Sequence, residues 1–263
     1  MSISKLSIKH VSLAVAATLS LLANGCNSEP RDLAEIKEDG VLRVAMNYNP
    51  LGYYRQGDDT ITGLQHDMVQ ALAKELGVEV SVVVNADLDG SIEDLENGEY
   101  DLLARLIPVT KELKEKVQFT NPICLDRQVL VQRKKNALNQ DKPYIKSQLE
   151  LPGHCISMPK NSPYISRLRN LAQEIGDTIQ IEEIANYQSE QLIILVAKGD
   201  LDYTVCNYNL AKKIGEQYDQ LDYKTAISFS QMQAWAVNKK SKALLEEVNK
   251  WIDKNTDKYF NNK

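Results

Sequence analysis

The chain has 263 residues, 43% of them hydrophobic and 25% charged, with 31 basic against 36 acidic side chains and a formal net charge of −5. That length suits one large domain or two lobes, and the apolar share is enough for a core. No basic footprint of the kind that binds phosphate backbones is present, so no nucleic-acid partner is expected.

The N-terminus reads as a leader. Lys5 and Lys9 precede the apolar run VSLAVAATLSLLA, and Leu22-Ala23-Asn24-Gly25-Cys26 closes it. A positive region, a short apolar region and small residues before a cleavage point make a secretory signal over residues 1–25. The run is too short and wrongly flanked for a comfortable membrane span. Gly25-Cys26 resembles the end of a bacterial lipoprotein signal, which implies lipidation of Cys26; an ordinary signal with a chance cysteine is the alternative. Loss of the leader removes two lysines and no acids, moving the charge from −5 to −7. The expected product is an acidic body held at the extracytoplasmic side of a membrane by lipid rather than by a basic patch, with residues 26–37 as tether and first helical turns. Cys124, Cys155 and Cys206 lack CxxC spacing, so zinc or redox chemistry is not expected. Buried free thiols are the expectation, with a Cys155–Cys206 pair on neighbouring strands as the alternative.

Val41–Met46 alternates as a strand, and Asn47–Tyr54 is a loop broken by Pro50 and Gly52. Leu64, Met68, Leu72 and Leu76 share one face of a helix over 64–76 that Gly77 ends. Val78–Val84 is a β-branched strand, Asp89 or Ser91 caps a helix over 91–97, and Asp101–Leu106 is the next strand. Strands alternating with helices predict a parallel sheet covered on both faces. The pattern then recurs: strands at 129–132, 155–158, 179–184, 201–206 and 234–237, and helices at 161–175, 190–198, 207–217 and 241–254. The expected fold class is α/β with two lobes, each a mostly parallel sheet flanked by helices, joined by crossings near Asp126 and Asn238.

Four stretches carry a family resemblance: LRVAMNYNPLGYY, GLQHDMVQALAKELGV, DLENGEYDLLARLIPVTKELKEKVQFTNPI and GDLDYTVCNYNLAKKI. In order and spacing, over about residues 38–258, they resemble the extracytoplasmic solute-binding proteins of family 3. NPLGYY and GDLDYTV look most like the binding module of a lytic transglycosylase; the sequence ends at KYFNNK, and such a module without its catalytic domain is the expectation. The resemblance implies the type II periplasmic-binding fold, with 38–125 plus 239–263 as lobe 1 and 126–238 as lobe 2, hinged to close on a solute.

The resemblance also implies a site. In the family's amino-acid binders a Thr-x-x-Arg supplies the Arg that grips an α-carboxylate, where a planar guanidinium donates two parallel hydrogen bonds. Here Thr110 is kept but Leu113 stands in the Arg position, while Leu106 and Pro108 replace hydroxyl residues. Arg105, inside an apolar strand, needs a partner or water; ligand contact, an internal ion pair and plain exposure remain open. Thr110 is a helix N-cap, a ligand contact or both. Asn207 stands where the family's Asp takes an α-ammonium, and a neutral amide both donates and accepts. Asn161 and Ser162 open a helix, either as caps or as an anion or carbonyl site. Asn47, Tyr48, Tyr53 and Tyr54 supply an aromatic wall or pack on the surface. With Leu113 and Asn207 both halves of the usual zwitterion clamp are gone.

His66 and His154 have no Ser or Cys arrangement that nucleophilic catalysis requires, and neither phosphate loop nor zinc motif appears. The expected function is therefore not enzymatic and needs no cofactor: a monomeric, lipid-anchored binding protein that captures a small polar solute for a membrane permease of an ABC-type system. The alternative is a sensing or regulatory module for cell-wall fragments or amino acids, working with a cell-wall enzyme. The third is an enzyme like the cyclohexadienyl dehydratases, which resemble this family.

Overall fold

The computed structural model describes residues 29–57, 60–135 and 142–260. The leader and Cys26 lie outside the described residues.

Helix α1 (Leu33–Asp39) starts on a reciprocal cap: the Asp32 carboxylate accepts the Leu33 N–H, and Glu35 reaches back to the Asp32 N–H. Strand β1 (Val41–Met46) follows, then a small hairpin of β2 (Tyr54–Gln56) and β3 (Thr60–Thr62). Helix α2 (Leu64–Leu76) turns Met68, Val69, Leu72 and Ala73 inward and ends at Gly77 in the left-handed region. Strand β4 (Glu79–Val84), helix α3 (Leu88–Glu96), strand β5 (Leu102–Pro108), the single turn α4 (Lys111–Lys114) and β6 (Gln118–Phe119) complete the first run. The cap of α3 is Asp87, so this helix begins earlier than the expected 91.

Strand β7 (Cys124–Asp126) leads out of this sheet and β8 (Gln128–Arg133) enters a second one. There follow β9 (Cys155–Pro159), α5 (Ile165–Ile175), β10 (Gln180–Ile184), α6 (Ser189–Lys198), β11 (Thr204–Asn207), α7 (Tyr208–Gly215) and β12 (Leu221–Asp222). Strand β13 (Gln231–Val237) returns, and α8 (Lys242–Asn255) and α9 (Asp257–Phe260) close the described chain.

The first sheet has the order β4-β1-β5-β13-β6, with β4, β1 and β5 parallel and β13 antiparallel to β5. The second has the order β10-β9-β11-β8-β12, with β10, β9 and β11 parallel. Two α/β lobes with mostly parallel sheets are thus present. The return crossing lies elsewhere than near Asn238. Strand β13 already belongs to the first sheet, where Ala234 pairs with Ile107 and Val237 with Leu102, so the crossing falls before Gln231. The two crossings run side by side: Gln231, Met232 and Gln233 pair with Asp126, Leu125 and Cys124.

Alternation along β5 feeds two cores. Leu102 and Ala104 join Met68, Leu72, Trp235, Val248 and Trp251 on one face, while Leu103 and Ile107 join Ile92 and Leu95 on the other. Trp235 is fully buried and stacks on Trp251 at 6.4 Å between ring centroids. Each such side chain contributes roughly 1.5–3 kcal/mol through burial.

The three cysteines of the described residues are free, but only Cys206 is buried; Cys155 is exposed. Thr204 pairs with Ser157 between β11 and β9. Cys206 and Cys155 therefore diverge along parallel strands by about 13 Å, beyond disulfide reach.

Candidate functional site

The carboxyl ends of the parallel strands of both lobes face one another across a cleft of about 520 Å³. Lobe 1 supplies the loop Asn47–Gly52 after β1, Asn85–Leu88 after β4, and Arg105 and Leu106 from β5. Lobe 2 supplies Pro159–Tyr164 after β9, residues Asn186 and Gln188–Glu190 after β10, and Asn207 at the end of β11. This is where open α/β sheets place their ligands, because loops leave the strand ends free and helix N-termini point there.

The alternation that sends Leu103 to the α3 side carries Arg105 the same way. Its guanidinium makes one long contact, Nη1 to the Ala86 carbonyl at 3.5 Å, and no ion pair among the described residues. Burial pulls its pKa down, partly opposed by the Tyr164 hydroxyl and Asp87. Across the cleft, burial raises the Tyr164 hydroxyl, with Cys206 adding to this and Arg105 opposing it. Arg105 and Tyr164 thus line the cleft from opposite lobes.

Six of the expected residues line this one cleft: Asn47, Tyr48, Arg105, Asn161, Ser162 and Asn207. Tyr53, Tyr54 and Thr110 are not among its lining residues. Tyr53 packs edge-on to the His66 ring at 5.6 Å, and Tyr54 pairs with Thr62 in the hairpin. Thr110 caps α4, its hydroxyl accepting the Leu113 N–H at 3.3 Å. The helix expected to open at Asn161 begins at Ile165. Asn161 has a left-handed φ of 58°, and its N–H donates to Glu183 at 3.3 Å; the Ser162 N–H donates to the Pro159 carbonyl at 3.1 Å. Their amides therefore belong to a turn rather than to a helix end. Asn207 precedes α7 as its N-cap residue without a side-chain cap bond.

Several lining residues were not foreseen: Asn49, Asn85, Asp87, Gln65, Gln188, Ser189 and Glu190. Asn49 shapes the loop, its Oδ1 accepting the N–H groups of Leu51 and Gly52 at 2.9 and 2.8 Å. Gln65 carries a legible signal. It falls three, four and seven residues before Met68, Val69 and Leu72, a polar residue in the buried stripe of α2. Its Oε1 accepts the Trp235 indole N–H, and because indole only donates, the amide is oriented with Nε2 away from Trp235. That Nε2 is buried without a partner. Among the described residues no cluster of His, Cys, Asp or Glu fits a metal ion, and no helix is long and apolar enough to cross a membrane.

Two α/β lobes joined by paired strands, with a polar cleft between their strand ends, define a two-lobed solute-binding module. The chain belongs to the bacterial extracellular solute-binding proteins, family 3, whose model matches residues 41–259. A membrane-bound lytic murein transglycosylase F of Methylobacillus flagellatus is 29% identical over 238 residues, 89% of this chain and 49% of that protein. The chain thus spans about half the length of the curated relatives it matches. An amino acid ABC transporter substrate-binding protein of Streptococcus pneumoniae, bound to L-arginine, has a TM-score of 0.70 at 24% identity, over 87% of this chain and 96% of that one. An ancestral amino acid-binding protein, described as a precursor of cyclohexadienyl dehydratase, has a TM-score of 0.71 at 24% identity, over 87% and 97%. These likenesses share the fold.

Proposed function

We propose that the chain is a lipid-anchored extracytoplasmic protein that captures a small polar, amino-acid-like solute between its lobes and presents it to a transport system. The observation that carries this reading is the cleft itself. It has polar groups from both lobes, a volume suited to a small molecule, and among its lining residues a cation, Arg105, held by one long hydrogen bond. Closing the lobes on a solute dehydrates the site and strengthens each polar contact. The arginine-bound neighbour and the amino-acid-binding neighbour support a ligand of amino-acid type. With Leu113 and Asn207 at the positions of the usual clamp, the solute need not be a standard α-amino acid. Thermal-shift screening of the purified full chain against L-amino acids and related polar solutes tests the reading: at least one raises the melting temperature, and an unchanged melting temperature with every solute rejects it.

A second reading is favoured by a separate observation, the lytic transglycosylase relatives of about twice this length. In it the module senses cell-wall fragments or amino acids and acts on a cell-wall enzyme in trans. Stabilisation by cell-wall peptides but not by free amino acids selects this reading over uptake. Both readings are non-catalytic, and turnover of prephenate or arogenate by the purified chain would reject them.

A further inference from the structure

A second cavity, of about 140 Å³, opens between the lobes beyond the cleft, and Leu51 and Leu106 line both. Its lobe 1 wall is apolar. The alternation that carries Arg105 to the α3 side turns Leu106 the other way, where Leu64, Tyr259 and Phe260 complete the wall against the lobe 1 core. Burial raises the Tyr259 hydroxyl, with Asp67 adding to this, so the phenol stays neutral. Asp67 itself is engaged with the His66 ring at 3.0 Å.

The facing wall is a polar stripe of lobe 2. Asn209, Lys212, Lys213 and Glu216 recur at helical spacing along α7 and its C-cap, while Leu210, Ala211 and Ile214 turn into the lobe 2 core. The Asn209 N–H goes to Asp126, and Lys213 pairs with Glu216 at 2.8 Å. The Lys212 ammonium makes no hydrogen bond or ion pair among the described residues. Two lysines face one glutamate in this wall, and the glutamate is taken by Lys213, so the surplus is the Lys212 charge. An apolar wall and a wall with an unmatched ammonium do not satisfy each other by packing together, because closing the gap strips water from the charge. An occupant with an apolar body and one anionic end suits both sides. The size fits as well, since a cavity of about 150 Å³ holds a benzene ring.

We propose that this cavity is a second binding site, for a small aromatic or aliphatic monocarboxylate. Its ring or chain lies on Leu64, Leu106 and Phe260, and its carboxylate pairs with Lys212. The proposal goes beyond the solute-binding reading and does not depend on what the cleft holds. Because each wall belongs to a different lobe, the occupant bridges them on the side of Leu51 away from the cleft.

The test uses the full chain and three probes: phenylacetate, its neutral counterpart phenylacetamide, and acetate, which has the charge without the ring. NMR titration at neutral pH reads the affinities, and melting without ligand reports stability. The variants are Lys212→Gln, Lys212→Arg, Phe260→Ala and, as the cleft control, Arg105→Gln. The expected result is that wild type binds phenylacetate more tightly than either other probe. Lys212→Gln weakens phenylacetate roughly fivefold, the size expected of a half-exposed ion pair. Lys212→Arg keeps most of the affinity and preserves the measurement if the amide variant folds poorly. Phe260→Ala weakens phenylacetate and phenylacetamide alike, and Arg105→Gln leaves phenylacetate unchanged. Absence of phenylacetate binding to wild type overturns the site. So does a loss that falls on Arg105→Gln instead of Lys212→Gln, which would put the probe in the cleft. Equal affinity for phenylacetate and phenylacetamide overturns the role of Lys212. The cleft reading stands or falls by its own screen in each of these cases.

Discussion

The carboxylate of Asp126 lies 3.4 Å from the backbone N–H of Asn209, tying the outgoing hinge strand β7 to the first turn of α7 in the opposite lobe. Its Oδ1 also accepts the Arg127 N–H at 2.7 Å, and the Arg127 guanidinium lies 5.0 Å from the centre of the Tyr208 ring. Asp126 is only 3% exposed. Burial dominates its titration and raises it from 3.8 to about 6, although the backbone hydrogen bonds pull the other way. A folded-state value above the unfolded one means that the protonated form is favoured by folding. This contribution is fully present below about 4 and is lost as pH rises through about 6. The Asp126→Asn variant removes the titration, so its melting temperature should vary less than wild type over that window, with the smaller fall on the alkaline side. Melting curves at a series of pH values check it; parallel profiles for the two proteins reject it.

Asp101 ties Arg31, just ahead of α1, to the first sheet. Its side chain is fully buried and accepts from the Arg31 guanidinium, from Arg43 Nη2 at 2.9 Å and from the Arg43 backbone N–H at 2.7 Å. Removing one partner of a buried charge group strands the others and costs about 3–5 kcal/mol. Asp101→Ala is expected to destabilise the protein by that amount in denaturant unfolding, far from the cleft. Arg31→Ala, which leaves Arg43 in place, should cost less.

Arg105 and Thr110 lie five residues apart and should separate function from structure. Arg105→Ala removes a side chain with one long hydrogen bond, so stability should hardly change while solute affinity falls. Thr110→Ala removes a helix cap, expected to cost roughly 0.5–1 kcal/mol, and should leave affinity intact. Titration and melting of both variants test the pair, and loss of affinity in the Thr110 variant would place its hydroxyl in the site after all.

Which features were legible follows from what local patterns encode. Helix α2 shows its period and its glycine stop, and its limits match the sequence reading because one amphipathic face and one left-handed residue fix them. Strand β13 was legible only in its apolar half, Ala234–Val237. Gln231 and Met232 are exposed, since they pair in the hinge rather than under a helix, and so carry no burial signal. Its sheet assignment escaped because pairing with β5 is a contact between residues over a hundred positions apart. In the cleft, Arg105 stands out as a charge within an apolar strand. Glu190 does not, because an acid in a first helical turn is ordinary, and only the opposite lobe shows that it faces a cavity. Lobe-to-lobe geometry has no local signature, which is why strand-end residues on either side were found more readily than their counterparts.

The last prediction concerns the seam between α2 and the loop that follows β1. Gly63, the residue before α2, has φ 140° and ψ 143°, a region essentially reserved for glycine. A Cβ there would lie 2.1 Å from the Gly52 carbonyl oxygen. That carbonyl accepts the His66 N–H at 3.1 Å, and the neighbouring Leu51 carbonyl accepts the Gln65 N–H at 2.8 Å, so the helix start and the cleft loop are laced together. In Gly63→Ala the backbone conformation alone costs about 1–3 kcal/mol, and relief of the clash pushes Gly52 away from α2. Because Gly52 and Leu51 line the cleft, the variant should lose both stability and solute affinity, unlike Thr110→Ala, which touches stability alone. Melting and titration of Gly63→Ala distinguish this coupling from a local defect: an affinity equal to wild type in a destabilised protein would mean that the loop holds its cleft-facing shape without the glycine.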